Sequence, residues 1–138
     1  MAKYKKPSDM IRAVDKKMDQ AMARLLFKTQ DRLSRSAPRD TGRLASSFFI
    51  GKNQPERYVE PPRKEPGPVT VERGYNPLEI TCDDDWYISS NLPYSVIAAF
   101  SPGYVGRSGG GRGDWYTAIV NQLPADSERI FTQELGKL

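Results

Sequence analysis

Ile11, Val14, Met18, Ala21, Met22, Leu25, Thr29 and Leu33 recur every three or four residues, with Lys and Arg filling most of the intervening positions. That is the period of one helical face, and it predicts an amphipathic helix over residues 8–34. Ser8 is the expected N-cap, with Asp9 beside it in the first turn, where the helix dipole favours an acid. A helix of about 27 residues is about 40 Å long. A folded chain of 138 residues has a radius of gyration of only about 14 Å. The helix therefore has to span the domain or project from it. Pro38 and the Arg39-Asp40-Thr41-Gly42 turn end it.

Around this helix the chain offers one modest core. Its length suits a single domain over residues 1–138. Leu, Ile, Val and Phe number 9, 7, 7 and 5, about a fifth of the chain, and the net charge is only +4. Folding with polar extensions, and burial completed against neighbouring copies, are the expectations. The charge is segregated: residues 1–36 carry ten Lys and Arg against four Asp, whereas residues 51–85 carry five against eight acids. Fields of opposite sign suit head-to-tail contact between copies, or a basic face near nucleic acid.

After the corner, residues 43–50 read as a strand ending at Gly51, with room for a helical turn at its start. Residues 52–68 hold Pro55, Pro61, Pro62, Pro66 and Pro68, so this segment is neither helix nor central strand but an extended arm contributing little to the core. Short strands are expected at 69–72, 78–82 and 86–90, a small antiparallel meander in which Cys82 is a core position. Pro93 opens a short helix through Phe100, residues 102–113 form a glycine-rich loop, and residues 125–135 close the chain as a helix. The fold class is α+β: a long N-terminal helix packed on the meander, with a short helix and a C-terminal helix.

The chemistry open to the chain is narrow. It has no histidine, which removes Ser/His/Asp and Cys/His triads, imidazole bases and His-containing zinc sites. Its single cysteine forms no intrachain disulfide. Asp83-Asp84-Asp85 lacks the spacing of a cation loop and reads as a solvated turn. The glycine-rich loop lacks the Gly-Lys-Ser/Thr ending of a phosphate cradle. No apolar run is long enough for a membrane span or follows the basic N-terminus as in a signal peptide, so a soluble protein is expected. Neither an enzyme, a cofactor nor a metal site is expected.

The order of elements carries a resemblance. A long amphipathic helix leads into Ala37-Pro38-Arg39-Asp40-Thr41-Gly42-Arg43-Leu44-Ala45-Ser46-Ser47-Phe48, then strands, then Ser90-Asn91-Leu92-Pro93-Tyr94-Ser95 opening a short helix, a glycine-bearing loop, Trp115-Tyr116 and a last helix. This resembles the neck or tail-completion proteins of tailed bacteriophages, whose pattern runs Pro-x-Asp-Thr-Gly-Arg-Leu, a Ser-rich strand, and later Asn-x-Pro-Tyr-Ala. The chain departs from it at Ala98-Ala99-Phe100-Ser101-Pro102-Gly103, where the family usually has a Glu before the glycine, and in its longer Pro-rich arm.

Physically the first motif makes a corner. Asp40 accepts the amide of Gly42 or Arg43 in an Asx-turn, Thr41 lies within the turn, Gly42 permits the reversal, Leu44 plugs the core and Arg43 stays free for a partner carboxylate. Asn91, Pro93 and Tyr94 form the second motif. The resemblance implies a structural virion protein made in the host bacterial cytoplasm. It would form a homo-oligomeric ring in the neck, between portal or adaptor proteins and the tail tube or terminator. Arg57, Tyr58, Arg63 and Lys64 of the arm, with Arg107 and Arg112 of the loop, are then candidate contacts between rings. Weak, sequence-independent contact with DNA in the channel is the most the basic residues are expected to make, and no membrane contact is expected. A tail terminator or capsid-proximal adaptor is the alternative within the class; a basic nucleic-acid-binding protein is the alternative outside it.

Overall fold

The computed structural model describes residues 4–100 and 114–138; the expected glycine-rich loop, with Arg107 and Arg112, lies outside them. The class is α+β. Helix α1 (Pro7–Ser36) runs two residues further at its C-terminal end than the periodicity suggests, 30 residues or about 45 Å in all. Its N-cap is Lys6, not Ser8: Pro7 occupies the first turn, where its missing N–H costs nothing and its fixed φ suits the helix. At the other end the Ala37 amide still donates to Leu33 O at 3.0 Å, and Pro38 then stops propagation.

Strands β1 (Phe49–Lys52) and β2 (Trp86–Ser89) form an antiparallel pair, with Phe49 opposite Ser89 and Lys52 opposite Trp86. The expected meander thus reduces to two strands. Residues 69–72 are irregular, and residues 77–79 form a single 3-10 turn instead of a strand. The reason is visible locally. Asn76 accepts from the amides of Leu78 and Glu79, and the Glu79 carboxylate accepts from the Asn76 amide at 3.1 Å, a capping box that winds the chain where a strand needs it straight. Cys82 follows this turn half-buried beside α1, its thiol 3.3 Å from Met18 O. Burial, reinforced by Asp19, Asp83 and Asp15, pushes its pKa up, which opposes thiolate formation. The ladder is closed by Asn53, whose φ of 61° lets its amide reach Asp85 O at 2.6 Å while its side chain takes the Asp85 amide at 2.9 Å.

Helix α2 (Ser95–Phe100) follows Pro93-Tyr94 as expected, and α3 (Trp115–Leu135) starts ten residues before the expected closing helix, with Pro124 inside it. Proline removes one bond to the preceding turn. Apolar anchors on both sides outweigh that loss: Trp115 and Ile119 before it and Ile130 after it are all buried. Trp115 Nε1 also donates to Ala98 O at 3.0 Å, tying α3 to α2.

The core lies along α1 in two clusters. Leu33, Ala37, Leu44, Phe48, Leu92, Ala98, Trp115 and Ile119 make one; Ala23, Leu26, Ile50 and Ile80 make the other, with Ile88 packed against both. Helices α1 and α3 run antiparallel, as their cross-links show. Arg32 reaches Asp126 and, at 3.1 Å, Gln122, whereas Arg24 reaches Glu134 at 2.8 Å and Gln133 at 3.1 Å. The carboxylates of both Asp126 and Glu134 are buried, so each attracts several cations: Arg129 at 3.2 Å also meets Asp126, and Lys137 at 2.8 Å also meets Glu134.

The hydrogen bond from Lys137, followed by that from Arg24, holds the Glu134 carboxyl below the usual carboxylate range. A depressed folded-state pKa stabilises the protein above the unfolded value, and that stabilisation disappears as pH falls through the folded one. Glu134→Gln should therefore melt below wild type at neutral pH, and the two melting curves should converge on acidification; parallel pH profiles would contradict the assignment.

Gln30 is wholly buried. Its Nε2 donates to Phe48 O at 2.8 Å and Glu72 O at 2.7 Å, and its Oε1 accepts from Arg73 at 3.1 Å. Gln30→Leu keeps the volume but leaves two carbonyls and a guanidinium edge unpaired, a loss of about 2 to 4 kcal/mol to be read by urea denaturation.

Candidate functional site

The corner after α1 is a wound turn, not the beginning of a strand. The Ser46 amide donates to Gly42 O and the Ser47 amide to Leu44 O, each at 3.0 Å, and Leu44 is buried in the first core cluster as expected. Gly42 adopts φ +90°, the left-handed region that favours glycine. A Cβ there would stand 2.9 Å from Arg63 Nη1 and 3.0 Å from Gly67 O, so the position demands glycine by conformation and by space. The Arg43 amide, one of the two assigned to Asp40 in the Asx-turn, donates instead to Thr41 Oγ1 at 3.3 Å.

Arg43 itself is engaged within the chain: its Nε donates to Glu60 O at 2.8 Å. This belongs to a larger pattern. The prolines of residues 52–68 keep the arm out of the sheet, so its carbonyls need donors from elsewhere. Side chains supply them. Arg63 Nη1 donates to Pro68 O at 2.7 Å and to Thr41 O at 3.3 Å, and Nη2 reaches Ser46 Oγ at 3.2 Å. The Gly67 amide donates to Thr41 O at 3.0 Å, and Asn91 Nδ2 donates to Glu56 O at 2.5 Å and Tyr58 O at 3.0 Å. The Tyr58 ring meets Phe49 edge-on, 5.1 Å between centroids.

Two motifs nearly fifty positions apart therefore converge on the arm. Asp40 to Leu44 hold its C-terminal half and Asn91 its N-terminal half, while Tyr94 packs against the first core cluster. They are joined behind it: Ser47 Oγ donates to Leu44 O and shares a 2.6 Å bond with Ser90 Oγ. Of the expected contacts between rings, Arg63 is spent inside the molecule, whereas Arg57 and Lys64 are exposed on the arm and Tyr58 is half-exposed over Phe49. Pro93 is exposed at the head of α2. Gln30, Arg73, Ser46 and the buried acids of α3 had no signal in the sequence, because each polar residue taken singly fits a solvated face.

The corner's own cleft, between Pro38, Asp40, Arg43 and Tyr94, has about 20 Å³ of space, enough for a water and no substrate. A groove of 480 Å³ lies between the arm and residues 70–75, lined by Phe49, Tyr58 and Tyr75 and by Glu56, Glu60 and Glu72. A second, largely apolar groove of 460 Å³ runs between α1, β2 and α3. Among the described residues no group of His, Cys, Asp and Glu is placed to hold a metal ion, and no helix is long and apolar enough to cross a membrane. None of the protein-family models, curated proteins or solved structures compared with the chain matches it.

Gly42→Val should destabilise the fold by about 2 to 4 kcal/mol through forced positive φ, read as a lowered Tm; an unchanged Tm would remove this account of the corner. Arg63→Ala removes two bonds to backbone carbonyls, at Thr41 and Pro68, and one to Ser46 Oγ, but little core, so trypsin should cut after Arg57 and Lys64 much faster while the Tm falls only slightly. Equal cleavage rates would show that the arm is held by its prolines alone.

Proposed function

We propose that the chain is a structural virion protein of a tailed bacteriophage, a ring-forming component of the neck between capsid and tail. The observation that supports this best is the convergence of its two family-like motifs on one feature. In the corner and the second motif, Arg43 Nε, Thr41 O and Asn91 Nδ2 are spent on fixing an extended arm against a small core. That is the arrangement an assembly protein needs: an irregular, proline-stiffened segment presented at a set position without sheet pairing. Exposed Val96, Ile97 and Phe100 on α2 and Tyr58 and Val59 on the arm leave apolar surface for neighbours to cover. Side-by-side contact closed by rotation yields a ring, and its mechanism is geometric.

The test is the mass and negative-stain shape of the purified chain, alone and mixed with purified tails and DNA-filled heads. Rings, or incorporation at the head–tail junction, are the expected result. A monomer that ignores both particles yet binds DNA with a steep salt dependence would replace this reading with nucleic-acid binding.

A further inference from the structure

Two features of the surface are complementary and lie too far apart to meet within one molecule. The first is the free end of α1. No residue of the helix before Ala21 is buried, because α3 ends opposite Arg24. The turns ahead of it expose Met10 and Ile11, at 53 and 60 %, among Lys5, Lys6, Arg12 and Lys16. The second is the 480 Å³ groove beside the arm. Phe49, Tyr58 and Tyr75 line it together with Glu56, Glu60 and Glu72. Glu60 faces Arg63 at 3.4 Å and Glu56 takes two backbone amides of the arm at 3.0 and 3.3 Å. The Glu72 carboxylate has no polar partner among the described residues. Carboxylates around aromatic faces suit the ammonium and guanidinium groups of a basic helix, with apolar side chains entering between the rings.

From these we infer that the groove receives the exposed basic turns of α1 from a second copy of this chain. The occupant follows from charge and distance. Residues 1–36 carry net +6 and residues 51–85 net −3, so each copy holds both halves of the contact. The groove borders Glu72, whose carbonyl is bonded to Gln30. Gln30 is twenty residues along a continuous helix from Met10, about 30 Å. A rigid helix keeps its own end away from its own groove. The contact is therefore heterologous, each copy giving its helix end to one neighbour and its groove to another, and such contacts propagate until rotation closes them. This deepens the ring reading above and rests on it for closure.

Sedimentation of the full chain at rising concentration, in low and high salt, tests it with two charge-reversed variants. Glu56→Lys with Glu72→Lys spoils the groove; Lys5→Glu, Lys6→Glu and Arg12→Glu spoil the helix end. Both sets are exposed and outside the core, and unchanged circular dichroism would confirm folding. Wild type is expected to exceed the monomer mass and to return towards it in high salt. Each variant alone should stay monomeric, and their mixture should stop at a pair of chains, since only one groove and one helix end remain intact. A wild type that is monomeric throughout, or variants that associate as wild type does, would overturn the contact. Rings built by both variants would do so while leaving the neck reading standing. Pairing in the mixture, together with wild-type chain that is taken up by neither heads nor tails, would do the reverse.

Discussion

The carboxamide of Gln30 occupies the point where the three irregularly connected parts of the molecule meet. Two strands of four residues cannot organise more than thirty residues of chain between them, so the segment from Asn53 to Asp85 has to be held by something other than a ladder. Gln30 does this from the buried face of α1, with both amide hydrogens on carbonyls, one in the corner and one beyond the arm. Arg73 completes the junction. Its Nη1 serves Gln30 Oε1 and Phe27 O, its Nη2 meets Asp31 at 3.0 Å, and its guanidinium lies 4.7 Å from the centre of the Phe27 ring. The same solution recurs lower on the helix, where Asp19 accepts the Cys82 amide at 2.8 Å. Helix α1 thus supplies the irregular chain with the partners that a wider sheet would have supplied.

The other side of α1 is fixed by charge. Burying Asp126 and Glu134 against α3 is costly, and pairs of this kind often add little net stability. They do constrain register. Arg32 and Arg24 stand eight residues apart on α1 and their acids eight apart on α3, so a shift by one turn would break both of these cross-helix pairs. The small residues Ala21 and Ala23, both buried, limit the bulk on that stretch of α1. The consequence reaches the proposed docking surface: the seam sets where α3 stops, and hence how much of α1 stands clear of it.

Much of this was legible where one local rule acted alone. The period of α1 gave its length, and Gly42 in a Thr-Gly-Arg turn gave its positive φ. The sequence misled where two rules competed. Val69 and Val71, and Leu78 and Ile80, alternate as strand residues do, yet Val71 and Leu78 are exposed, and Ile80 enters the second core cluster from the end of a 3-10 turn. Leu78 and Glu79 read as the start of a strand, but with Asn76 and Pro77 they form a capping box with its own winding. The closing helix was expected only over residues 125–135, whereas anchors on both sides of Pro124 keep α3 continuous from Trp115. The docking of the arm was invisible for a different reason. Its proline content shows what it cannot pair with, but Arg43 and Asn91, which hold it, lie seventeen and about thirty-five residues from their acceptors.

That docking alters what the arm can do. A free proline-rich segment pays its ordering entropy when it binds, whereas one already tied at Glu56, Tyr58, Glu60 and Pro68 has paid most of it in folding. Its outward residues, Arg57 and Lys64, and the groove it forms with residues 70–75 are consequently held at fixed positions relative to α1. Fixed relative position is what a closed ring requires, because small angular errors at each contact accumulate around the circle. In the proposed ring, the corner motif is a device for angular precision: glycine at φ +90° turns the chain, Arg63 fills the space a Cβ would take, and the arm is thereby referred to helix α1.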